Sequence, residues 1–84
     1  MEEKLPLVEI YSKKECHLCD EAKAIIKKVK NDTVFELLEI DITSDSEIFE
    51  KYKYDIPVIN INGIIAFKYK VDENEFRRKL NRKF

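Results

Sequence analysis

The single glycine of this chain follows Asn62, and the pair stands between two apolar runs in "DIPVININGIIAFKYK". Asn-Gly supplies positive φ at both central positions, the requirement of a two-residue type I′ turn, so the stretch predicts a β-hairpin. A two-residue turn makes its flanking strands antiparallel, which fixes the relation of the last two strands before anything else in the chain is assigned.

Upstream, "LPLVEIYS" is short, apolar and β-branched with Pro6 near its start, and predicts a strand over roughly residues 5–11. The period then changes. From Cys16 or His17 onward Leu18, Ala22, Ile25, Ile26 and Val29 recur at three- and four-residue steps, an amphipathic helix that ends near "KND". "TVFELLEIDI" is apolar almost without interruption, as in a strand covered on both faces. In "TSDSEIFEKYKY", Ser44 and Glu47 have capping-box spacing, and Ile48, Phe49 and Tyr52 share one face of a short helix. Asp72 is placed to cap a last helix, "ENEFRRKLNRKF", with Phe76, Leu80 and Phe84 inward.

The order β-α-β-α-β-β-α, without linker or repeat, predicts a single α/β domain over residues 1–84. Its four-stranded mixed sheet has the early strands parallel, the last strand antiparallel and helices on both faces. In such folds chemistry gathers beyond the carboxyl ends of the parallel strands, where the first strand hands over to the first helix. "KKECHLCDEAKAI" falls there, with both cysteines and the lone histidine.

Composition narrows the function. With 16 basic and 17 acidic side chains the formal charge is −1, which argues against a nucleic-acid binder working by counterion release. The basic "RRKLNRKF" reads either as a patch for an acidic partner or as the solvated face and positive last turn of a helix; the helix reading is preferred. No stretch approaches the ~20 apolar residues of a membrane span, and "MEEKLPLVEI" lacks the basic start and apolar segment of a signal peptide. The expectation is a monomeric cytoplasmic protein without membrane or nucleic-acid partners. Two cysteines three positions apart cannot staple distant segments, so they are catalytic, metal-binding or inert.

A thiol attacks as its thiolate. At a helix start, Cys16 faces unpaired backbone N–H groups and the positive end of the macrodipole, both of which favour the anion. Lys13, Lys14 and a protonated His17 push the same way, while Glu15, Asp20 and Glu21 oppose them. Cys19, one turn on, lies nearer the core. The spacing therefore casts Cys16 as exposed attacker, Cys19 as shielded resolver, and His17 and Lys14 as modulators of the couple. A closed zinc site needs four N/S ligands, and the chain offers three, with His17 directed away from a Cys16–Cys19 grip. No metal is expected within one chain, although a zinc or iron–sulfur cluster shared between two chains stays open. Pro57, taken by itself, reads as a trans proline at a strand entrance.

Strand, "YSKKECHLC", amphipathic helix, strand ending "EIDI", helix, then "IPVI" and a hairpin together resemble a minimal thioredoxin fold, and within it the glutaredoxin-like proteins with a C-x-L-C site. The resemblance covers nearly the whole chain. It implies a thiol–disulfide oxidoreductase in which Cys16 is the nucleophile, Cys19 the resolving cysteine and the Cys16–Cys19 disulfide the redox centre, with no bound cofactor. It implies that Pro57 is cis and that the Ile56 backbone pairs with an extended substrate segment. It makes Lys13 a contact for a glutathione carboxylate, beside the alternative of a solvated loop lysine. Tyr11 becomes an aromatic neighbour of the site, although a strand-end core residue is the preferred reading there.

Two departures bear on the electron donor. Leu18 stands where dithiol glutaredoxins carry an aromatic residue, and "FKYKVDENEF" lacks their Gly-Gly, leaving Asp72 and Glu73 as the available acids. Ile10 stands where thioredoxins place a buried acid. The implied partners are disulfide-bearing proteins or small molecules, with glutathione or a thioredoxin-reductase-type donor supplying electrons. The alternative to an enzyme is a non-catalytic adaptor that keeps the fold.

Overall fold

The structure, a computed structural model, describes residues 5–81. Its elements are β1 (Leu7–Ser12), α1 (His17–Lys30), β2 (Glu36–Asp41), α2 (Ser46–Tyr52), β3 (Val58–Ile61), β4 (Ile64–Lys68) and α3 (Glu73–Leu80), with a 3-10 turn at Ile42–Ser44 before α2. The architecture is α/β, a four-stranded mixed sheet in the order β2-β1-β3-β4 with three helices, the arrangement of a minimal thioredoxin fold. Among the described residues no helix is long and apolar enough to cross a membrane.

β1 and β2 are parallel, because the 14-residue α1 carries the chain back along the sheet between them. β3 differs from the expectation for the early strands and runs antiparallel to β1. The reason is length. The seven residues of α2 rise about 10 Å, roughly half the span of a six-residue strand, so the chain re-enters the sheet at the end where β2 left it. β4, antiparallel to β3, then runs with β1. The hairpin forms at Asn62 (φ 52°) and Gly63 (φ 82°), both in the left-handed region as a type I′ turn requires. Asn62 also ties this turn to the start of β1: its Oδ1 accepts the Leu7 N–H at 2.9 Å, and its own N–H donates to Leu7 O at 2.8 Å.

Alternation along the strands sorts two clusters. Val8 and Ile10 of β1 and Ile59 and Ile61 of β3 meet Ala22, Ile26 and Val29 of α1 and Phe76 and Leu80 of α3, with Phe35 and Val71 closing the ends. Burying each such Val, Ile, Leu or Phe contributes about 1.5–3 kcal/mol, so this cluster dominates the stability of the domain. Tyr11 faces the other way, toward α2. There Cys19, Ile42 and Ile56 form a smaller cluster, flanked by Tyr11, Cys16, Ile48, Phe49 and Tyr52, at the carboxyl end of β1.

Local expectations are corrected at three points. β2 is an edge strand, and Leu38 is 48% exposed, so the strand is not covered on both faces despite its apolar run. The cap of α2 is Asp45, whose Oδ1 accepts the N–H groups of Glu47 and Ile48, while the Ser44 hydroxyl donates to Asp41 O. α3 ends at Leu80, and Phe84 lies outside the described residues. Asp72 does cap α3, accepting the Glu75 N–H at 2.9 Å. The described part of the basic run is engaged locally: Arg77 pairs with Asp32 and Glu73, Arg78 with Glu75, and Lys79 lies over the Phe67 ring.

Candidate active site

Between β1 and α1 the chain turns through Lys13, Lys14 and Glu15. Glu15 lies in the left-handed region (φ 57°), uncommon for a side chain of this kind. It delivers Cys16 in extended conformation to the N-cap of α1. The Cys16 Sγ there accepts the Cys19 N–H at 3.2 Å, the role that a Ser or Asp oxygen plays at other helix starts, and it faces the positive end of the helix dipole.

Cys16 and Cys19 are joined by a disulfide, with their Cα atoms 5.2 Å apart. Access divides the two sulfurs. Cys16 is half-buried, whereas Cys19 is fully buried against Ile42 and Ile56. A nucleophile in solution thus meets Cys16 first, and Cys19 is reached through the protein.

The Ile56–Pro57 peptide is cis, Pro57 is buried, and Ile56 packs on Cys19. Tyr11 stacks on Tyr52 with ring centroids 4.4 Å apart in the same cluster. Burial first, then the charge of Glu9 and the neighbouring Tyr52, push the Tyr11 phenol above its ordinary pKa, so Tyr11 stays neutral and acts here as packing. The structure thus brings Cys16, Cys19, Ile56, Pro57 and Tyr11 together. Ile10, fully buried, belongs to the larger cluster, as a residue on the opposite side of β1 from Tyr11 must.

Lys13 and Lys14 sit to the β2 side. They line a cleft of about 480 Å³ with Ser12, Lys23, Asp20 and Asp41 among its other walls. Asp41 is held below the usual carboxylate range chiefly by hydrogen bonds from the Thr43 hydroxyl and N–H, with Lys14 and Lys23 adding favourable charge. His17 points outward, 87% exposed, with Nε2 3.1 Å from Glu21 Oε1 one turn along α1. The two acids nearest the glycine-free segment have other partners: Asp72 caps α3, and Glu73 pairs with Lys28 and Arg77. Among the described residues no three His, Cys, Asp or Glu side chains converge as a metal site.

Three residues beside the site, Asp55, Lys68 and Tyr69, have no counterpart in the sequence-based expectations. Tyr69, after β4, donates its N–H to Pro57 O at 2.8 Å and its hydroxyl to Asp55 Oδ1 at 3.1 Å. Lys68 Nζ lies 3.6 Å from the other oxygen of Asp55. Fourteen positions separate Asp55 from Tyr69, and no short-range pattern joins them. The one trace in the sequence is that "FKYKVDENEF" carries no glycine, although Tyr69 lies at φ 70°, where glycine is the easy choice.

Comparison with known proteins agrees with this geometry. A family described as "Glutaredoxin-like domain (DUF836)" matches residues 7–81. The chain is 31% identical over 74 residues to a Dictyostelium discoideum protein described as "Glutaredoxin-like protein YDR286C homolog", covering 81% of this chain and 68% of that relative. Among solved structures, protein Ne2328 from Nitrosomonas europaea aligns with a TM-score of 0.79 at 22% identity, over 96% of this chain and 98% of its own. A mutant thioredoxin from Halobacterium salinarum aligns with a TM-score of 0.66 at 13% identity, over 92% and 73%. At these identities the two structural likenesses speak for the fold.

Proposed function

Because this chain belongs to the glutaredoxin-like family of the thioredoxin fold, we propose that it is a thiol–disulfide oxidoreductase working through the Cys16–Cys19 couple. The observation that carries the reading is the asymmetry of the pair: Cys16 is reachable at the N-cap of α1, and Cys19 is buried behind it against Ile56. In the reduced protein the Cys16 thiolate attacks one sulfur of a substrate disulfide, forms a mixed disulfide and expels the other sulfur as a thiolate. Cys19, losing its proton as it attacks, displaces the second substrate sulfur from Cys16. Two electrons have then passed to the substrate, together with the one proton that Cys19 gives up; the thiolate expelled first takes its proton from water, and the Cys16–Cys19 disulfide remains. An external thiol donor returns it to the dithiol.

The substrate strand lies along Ile56, the residue before Pro57, as an added edge strand. Lys13 and Lys14 give the approach to Cys16 a positive border, suited to anionic thiols such as glutathione. The glycine-free turn after β4, with Asp72 and Glu73 already engaged, suits a dithiol or protein donor. A cytoplasmic location accords with a couple that must be returned to its reduced form.

Turnover of a disulfide substrate with glutathione and with a dithiol donor, measured in parallel, assigns the donor. Cys16→Ser is expected to abolish turnover, and Cys19→Ser to accumulate mixed disulfides that mass spectrometry detects. Full activity in Cys16→Ser would sink the mechanism. A wild-type protein inert toward every disulfide with both donors would leave the adaptor reading in its place.

A further inference from the structure

The end of β4 and the residue after it hold the Asp55–Pro57 segment. Tyr69 is bound to this segment at two points, by its N–H at Pro57 O and by its hydroxyl at Asp55 Oδ1, and Lys68 adds an ion pair to Asp55. A side chain anchored by its backbone at one residue and by its tip two residues earlier runs alongside the residue between, which is Ile56. The Ile56 side chain is turned down onto Cys19, and no turn or loop hydrogen bond engages its N–H or C=O among the described residues. Its peptide is therefore free to pair with an incoming strand, with the Tyr69 ring beside it.

That ring is not spent on the core. Tyr69 is 46% exposed. Tyr69 also occupies φ 70°, where a bulky residue costs free energy that a glycine would not. Conformational ease alone would put a glycine at this position; the ring needs a use.

Resting on the oxidoreductase reading above, we propose that Tyr69 is a specificity-determining residue whose ring walls the groove along Ile56 and selects extended polypeptide disulfides carrying an apolar side chain next to the half-cystine. An apolar neighbour packs on the open ring face. An aspartate has no apolar surface to lay on the ring, and the Asp55 carboxylate beside it is already balanced by Lys68, so an acidic neighbour gains nothing there.

The test uses two synthetic peptides, each with one cysteine in mixed disulfide with 2-mercaptoethanol, one bearing leucine and the other aspartate beside it. Bis(2-hydroxyethyl) disulfide serves as the small substrate and dithiothreitol as donor. Wild-type kcat/KM is expected to favour the leucine peptide by about tenfold, the order of one aromatic contact. Tyr69→Gly, which fits φ 70° without strain, is expected to erase that preference. Tyr69→Phe, which keeps the ring and loses the bond to Asp55, is expected to retain it within about twofold. An equal fall for both peptides and the small disulfide would mean that Tyr69 merely seats Pro57, and an equal loss of preference in Tyr69→Phe and Tyr69→Gly would move the role to the hydroxyl; either result overturns the proposal. Wild-type turnover of the small disulfide without a leucine preference overturns the specificity alone. No turnover of any substrate overturns the oxidoreductase reading and this inference with it.

Discussion

Cys16 sits where a helix has hydrogen-bond donors to spare, and the N–H of Cys19 is already directed at its sulfur at 3.2 Å. Cys19 lies one turn deeper and has no exposed surface. In the reduced protein a brief treatment with iodoacetamide is therefore expected to label Cys16 and leave Cys19 unmodified, as peptide mass spectrometry would show. Equal labelling of the two would contradict the ordered roles. This part of the site was legible in the sequence because it is local: strand end, N-cap and first helical turn span eight residues, Ser12 to Cys19, and each has its own signature. Asp55 and Tyr69 were not legible. Their contact exists only after β3 and β4 have paired, and neither residue type announces a partner fourteen positions away.

At the scale of elements, α1 and α3 are clasped by Lys28, Asp32, Glu73 and Arg77. Arg77 chiefly, with Thr33, holds the Asp32 carboxyl below its ordinary value of 3.8; Lys28 and then Arg77 hold Glu73 below 4.5. Both carboxyls bind protons less readily folded than unfolded, so their contribution is present above the ordinary values and is lost as pH falls through the lowered ones. The urea midpoint of the wild type is expected to drop between about pH 5 and 2, and Asp32→Asn to flatten part of that drop while lowering the midpoint at pH 7. Added salt should shrink the difference between the two proteins at pH 7, because these side chains face water. The hairpin is a second such element. Asn62→Ala removes the bond from the Leu7 N–H and places alanine at φ 52°, for an expected loss of about 1–3 kcal/mol in chemical denaturation. Hairpin and α1 could be read from sequence because turn chemistry and helical period are short-range properties. The direction of β3 and the exposure of β2 could not, since both follow from how far α2 reaches and which strand ends at the sheet edge.

The whole molecule divides its apolar interior unequally, into a large cluster between the sheet, α1 and α3 and a small one around the disulfide. Phe76 lies in the large cluster, edge-on to Phe35 with centroids 5.7 Å apart, and is not a member of the disulfide cluster. Ile42 lies in the small cluster, against Cys19. Phe76→Ala should cost about 3–5 kcal/mol, because the cavity opens where α1, α3 and the sheet all meet, and the domain should still unfold in one transition. Its reduction potential should match that of the wild type, since oxidised and reduced forms lose the same packing. Ile42→Ala should cost about 2–5 kcal/mol and also move the potential. Opening space beside Cys19 admits water to a sulfur that is otherwise dry, which favours its thiol and thiolate over the disulfide and raises the potential by about 10–30 mV. Equilibration of both variants with glutathione buffers would measure this. A shift in Phe76→Ala as large as that in Ile42→Ala would show that the two clusters act as one, and that the potential of the couple is set by the fold as a whole rather than by the few side chains around Cys19.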